Sequence, residues 1–157
     1  MPELLQLLLT AAVTLIGGVL LFIFGEFAKV LIVQPLQKYM EHIELIRDRL
    51  DFYSNQVTNY FSEKPDKEEW ELIQTINADF RSAATQLGAR YAGIAQRGFL
   101  IKLRVIPTPQ NIHEAYGGLI FLSNNLPRRR HDDRDSKHNP IMLNLDAIAK
   151  IKEALQP

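Results

Sequence analysis

The chain has 157 residues, with 18 Lys and Arg against 18 Asp and Glu, so its formal net charge is zero. That balance argues against a dedicated nucleic-acid binder, which relies on surplus cations to release counterions from phosphates. There is no cysteine, which removes disulfides, thiolate metal ligands and thiol nucleophiles from consideration.

Leu4 to Gly25 reads LLQLLLTAAVTLIGGVLLFIFG, without a charge. About 22 residues at roughly 1.5 Å each just cover the hydrocarbon core of a bilayer. The run is apolar on every face, unlike the striped helix of a soluble core. A cleavable signal peptide would carry a basic n-region and a shorter apolar centre, whereas this run is preceded by Met-Pro-Glu. The segment is therefore expected to persist as one membrane span. Lys29, Lys38, Arg47 and Arg49 follow it and no basic residue precedes it, so the positive-inside rule puts the N-terminus outside and the C-terminal domain in the cytoplasm, the arrangement of a single-pass membrane protein. The lack of any Asn-x-Ser/Thr acceptor agrees with that orientation.

Within the span, Ala11, Gly18 and Gly25 recur every seven residues, with Thr14 beside them. Small residues let helices approach closely in lipid, which makes Ala11, Thr14, Gly18 and Gly25 a candidate membrane-helix interface. Counting in sevens from Tyr39 through Ile32 reaches the same stripe, so it is expected to share one heptad phase with the next helix, interrupted at Pro35. The expected division is an anchor with a juxtamembrane extension over 1–34 and a cytosolic helical bundle over 35–157.

After Pro35 the apolar positions Leu36, Tyr39, Ile43, Ile46, Leu50, Tyr53, Val57 and Tyr60 alternate intervals of three and four, as in a coiled-coil seam. Lys64-Pro65-Asp66 ends that helix, and Asp66 with Glu69 has the form of a capping box opening the next. Trp70, Ile73, Asn77, Phe80, Ala84, Leu87, Tyr91 and Ile94 then repeat the same spacing. Two matched seams across a short turn predict an antiparallel helical hairpin over 36–97.

The run from Gly98 to Pro107 contains a short apolar stretch compatible with strand or helix. No second strand-like run exists to pair with it, so helix is favoured. Thr108 and Pro109 then read as N-cap and first residue of a helix over about 109–126, with Ile112, Ala115, Leu119, Leu122 and Leu126 facing inward. Asn139 and Pro140 repeat the signal for a last helix over 140–155, with Met142, Leu145, Ile148, Ile151 and Leu155 as its stripe. Gly117 and Gly118 fall inside a helix, where they suit close packing. The whole is an all-α fold.

Between these helices, 127–139 is a mixed charge run expected to be a solvated loop. Its Arg128, Arg129 and Arg130 are candidate contacts for an acidic partner or lipid headgroups. Asp133 and Asp135 fail as the start of a calcium loop, because His138 stands where Gly is required and Asn144 where Glu is. His42, His113, His131 and His138 have no zinc spacing, and no Walker loop, dinucleotide fingerprint or nucleophile elbow occurs. No catalytic residue, metal or cofactor is therefore expected.

Pro35-Leu-Gln after a membrane helix, Leu50-Asp-Phe-Tyr-Ser-Asn55, Pro109-Gln-Asn-Ile-His-Glu-Ala115 and Leu122-Ser-Asn-Asn-Leu126 give the chain a pattern that resembles a group of uncharacterised bacterial hypothetical proteins with one N-terminal transmembrane helix and a helical cytosolic domain. The resemblance spans most of the chain. It implies an inner-membrane location and no particular activity. The function expected from the residues is a membrane-anchored interaction or scaffold protein that self-associates or binds a protein partner. A membrane-coupled sensor or regulatory subunit is the alternative, and an enzyme with a composite site the third.

Overall fold

One helical rod runs from Glu3 to Phe52, 50 residues without a break. The structure, a computed structural model, describes residues 2–59, 61, 65–126 and 140–157. The rod comprises α1 (Pro2–Ala28), a π-helical turn (Lys29–Val33) and α2 (Gln34–Phe52). Pro35, expected to interrupt it, sits in the first turn of α2. A proline inside a helix lacks a donor and crowds the carbonyl one turn back. Here the wider π-turn precedes it, with the Gln34 N–H donating to the Lys29 carbonyl, and the helix passes through.

That turn also corrects the expected common phase. A π-turn holds one residue more than an α-turn, which rotates α2 relative to α1 by roughly 100°. Sevens counted back from Tyr39 slip by one and meet Phe24 and Gly17 instead of Gly25 and Gly18.

From Glu3 to Ala28 every residue is exposed except the half-buried Gly17. Beyond the π-turn, α2 buries Tyr39, His42, Ile43, Ile46 and Leu50. It stops at Phe52 instead of reaching Tyr60, because Tyr53 leaves helical geometry at φ −90°, ψ 3°, and a short α3 (Ser54–Thr58) restarts. Tyr53 and Val57 remain buried, so the seam continues across the kink; Tyr60 lies outside the described residues.

The Asp66 side chain accepts the Glu69 N–H at 2.8 Å and opens α4 (Lys67–Ala92). Contacts between α2 and α4 descend one chain as they ascend the other. Arg90 donates to the Lys38 carbonyl, His42 to that of Ala83 and Arg49 to that of Asp79. Both Ile76 and Ala83 are buried beside the expected seam, since α6 packs on α4 as well and widens its apolar stripe. Trp70, expected in the seam, is 42% exposed: it lies in the first turn of α4, past the end of α2.

Part of the run after Gly98 is helical, as expected: α5 spans Arg97–Lys102 and Leu100 anchors it in the core. Gln96 and Arg104, both at positive φ, bound it. Thr108 caps α6 (Pro109–Asn124), accepting the Asn111 N–H. Ile112, Ala115, Leu119 and Leu122 are buried as predicted, and Leu126 is half-buried.

On α6 lies α7 (Pro140–Ala154). A Cβ at Gly118 would stand 2.6 Å from Ile151 Cγ1, so this glycine is what permits the close crossing; Gly117 meets nothing. Ile148, Ile151 and Leu155 are buried as expected, but Met142 and Leu145 are 61% and 46% exposed. The inward stripe is instead Ile141, Asn144, Ile148, Ile151 and Leu155, with Asn144 wholly buried. Lys152 pairs with Asp51, and Arg47 donates to the Leu155 carbonyl, tying α7 to α2. The described residues contain no β-strand.

Candidate functional site

Ala11, Thr14, Gly18 and Gly25 project from a helix that nothing else in the described residues covers. No atom lies within 4 Å of a Cβ placed on either glycine. Thr10 and Thr14 hydroxyls turn back to the carbonyls of Gln6 and Thr10, which satisfies them without a partner helix. The seam residues Tyr39, Ile43, Ile46, Leu50 and Tyr53 are gathered into the core, with Leu36 packed at its margin. Arg128, Arg129 and Arg130 lie outside the described residues, as do the loop 127–139 and Asn139.

Among the polar side chains that meet inside the bundle, three groups bear on chemistry. In the first, the Asn144 amide donates to the Val57 and Asn125 carbonyls at 2.7 and 2.9 Å and accepts from Asn125 Nδ2 at 3.0 Å. This one side chain joins α3, the end of α6 and α7. An amide offers no proton chemistry at neutral pH, so the cluster is a joint.

In the second cluster the Tyr53 hydroxyl donates to Asp79 Oδ2 at 2.7 Å, and Arg49 lies 3.7 Å from Oδ1. Burial, followed by the bond to Asp79 and its charge, pushes the Tyr53 phenol up from its ordinary value. It therefore stays a donor.

The third cluster is the most apolar. Tyr39 is fully buried against Tyr91, ring centroids 5.8 Å apart, and its hydroxyl has no partner among the described residues. His42 donates from Nε2 to the Ala83 carbonyl at 2.9 Å, which assigns the proton to Nε2, while Nδ1 is buried without a partner among the described residues. Desolvation lowers the His42 pKa, against the Ala83 bond, with Arg90 and Arg49 adding to the lowering.

Two concavities border α4. A cleft of about 430 Å³ is lined by Asn55, Gln56, Asn59, Phe61, Glu69 and Leu72, among others; it holds acids and amides but no nucleophile paired with a base. A notch of about 220 Å³ lies between Lys38 and Arg90, over Val30, Pro35 and Gly93. No trio of His, Asp and Glu among the described residues is placed to hold a metal ion.

Asn144 and the Arg49–Tyr53–Asp79 cluster were not singled out by sequence reasoning. Asn144 had a signal, because it completes the alternating spacing from Ile141 to Leu155. So did the notch, since no Asp or Glu occurs between Asp79 and Glu114. What these parts define is a class only: an all-helical bundle carried on a long, exposed apolar helix. No protein-family model matches the chain, and no curated protein or solved structure does either.

Proposed function

We propose that the protein is a single-pass membrane-anchored interaction module, spanning the bilayer with Leu4–Gly25 and holding an antiparallel helical hairpin and two further helices at the cytoplasmic face of a bacterial inner membrane. The observation that carries this reading is the unbroken helix from Glu3 to Phe52, exposed and apolar in its first half and buried in the bundle in its second. An isolated helix with that much exposed apolar surface calls for lipid or protein around it. The proposed role is binding, by self-association or to a protein partner, and not catalysis. Asn144, Asp79 and Arg81 support it, being engaged in joining helices to one another. The exposed Met142 and Leu145 give the bundle apolar surface beyond its own core.

Native mass spectrometry of the full chain released from mild detergent tests self-association. Dimers or larger species are expected, and replacing Met142 and Leu145 together by Lys should reduce them if α7 contributes. A monomer at every concentration would leave the protein-partner form of the reading. The continuous helix through the π-turn favours a second reading, a regulator in which the state of the span is passed to the hairpin. Inserting two glycines at Val33 would uncouple the two halves, and an unchanged output in the cell would sink that reading.

A further inference from the structure

The bundle end beside the span carries a concentration of positive charge that α4 alone does not account for. Acidic residues at a helix N-terminus and basic ones at its C-terminus follow from the helix dipole, and α4 has Glu68 and Glu69 in its first turn and Arg90 in its last. The basic stretch runs on past α4, however, through Arg97, Lys102 and Arg104, where the dipole no longer acts and where no acidic residue intervenes before Glu114.

Position follows from the two neighbouring concavities. Gly93, just beyond α4, shares the notch with Val30, Gln34 and Pro35, while Val105 and Pro107 line a cleft with Met40, Ile43, Glu44 and Arg47, among others. The segment between them, α5 included, thus leaves α4 beside the first turn of α2, near the base of α1, and rejoins α2 around its middle. Leu100 and Ile106 are buried and Ile101 half-buried, which pins α5 from behind. Its other face exposes Phe99 at 61% and Leu103 at 56%, with Lys102 between them. Arg97 is held over the Tyr91 ring at 5.6 Å. Two large exposed apolar side chains on a short segment that also carries Arg97, Lys102 and Arg104 suit an interface of anionic headgroups, into which apolar side chains dip while cations meet phosphate.

We propose that α5 is a second membrane contact, docking Phe99 and Leu103 into the headgroup region of an anionic bilayer while Arg97, Lys102, Arg104 and the Lys38–Arg90 notch face lipid phosphates. The proposal rests on α1 spanning that bilayer. The contact fixes the bundle against the membrane at two places, the rod and α5.

The test uses the full chain with Trp70→Phe and Phe99→Trp, so that the reporter tryptophan sits on α5, reconstituted in phosphatidylcholine vesicles with or without phosphatidylglycerol and with bromine near the headgroup end of the acyl chains. Blue-shifted, quenched emission is expected with phosphatidylglycerol. It should weaken without that lipid, at high salt, and when Arg97, Lys102 and Arg104 are all replaced by Glu. Flotation after a carbonate wash reads the span separately. A chain that floats with its α5 tryptophan unquenched, or quenched regardless of lipid charge and salt, overturns the docking and leaves the span standing. A chain that washes off overturns both.

Discussion

Removing the Asn144 side chain takes the donors from two carbonyls at once, the buried one of Val57 and the part-buried one of Asn125. An unsatisfied buried polar group costs about 1–3 kcal/mol, so Asn144→Ala should lower stability by about 2–4 kcal/mol, seen as an earlier urea midpoint with an unchanged slope. Asn144→Asp should do no better, since a carboxylate would face two acceptors. Loss of less than about 0.5 kcal/mol in either variant would show that the joint is not one. At His42 the prediction concerns pH. Its folded pKa lies below the unfolded value of about 6.5, so the unfolded chain takes up a proton first. The stability His42 confers is complete above about pH 6.5 and is lost as pH falls from there through the folded pKa. Thermal unfolding at pH 5 and pH 7.5 should therefore differ more for the wild type than for His42→Gln. Equal pH dependence in the two proteins would mean that the ring is solvated.

At the scale of the element, adjacent glycines of α6 should respond in opposite directions. Gly118→Ala puts a methyl into Ile151, a β-branched residue with little rotamer freedom in a helix, and is expected to destabilise by about 1–3 kcal/mol. Gly117→Ala meets nothing and should stabilise by about 0.5–1 kcal/mol through helix propensity and a less flexible unfolded chain. Denaturant midpoints of the two single variants decide this, and destabilisation by Gly117→Ala would contradict the open space described there. The helices themselves were legible from apolar spacing and from the caps at Asp66 and Thr108. The phase of α7 was not, because its stripe passes through Asn144 and a pattern sought in apolar residues alone turns to Met142 and Leu145. Nor was the π-turn, whose five residues Lys29–Val33 carry no motif; proline reads as a break, and only three-dimensional geometry shows the wider turn that carries the helix past it. The clusters around Asp79 and Asn144 join residues far apart in sequence, so spacing could not bring them together.

For the whole molecule, the positions of the basic residues make a directional prediction. With a phosphatase fused after Pro157, activity outside the inner membrane of a bacterial host should be absent, and with the same reporter fused before Met1, in a form that can be exported, it should be present. High activity from the C-terminal fusion would reverse the orientation and place the bundle and α5 on the other leaflet.

The unbroken rod has a mechanical consequence. With its second half buried in the core from Tyr39 to Leu50 and the helix continuous through Pro35, insertion of α1 as proposed would make the helix a lever whose fulcrum is the bilayer surface. From Gly25 to Phe52 the arm is about 40 Å long, so a change of about 10° in tilt carries its far end sideways by about 7 Å. Helices answer bilayer thickness by tilting; with α1 inserted as proposed, a thinner or thicker membrane would become a displacement of the remote end of the bundle, and a foothold at α5 would set how far that lever can swing.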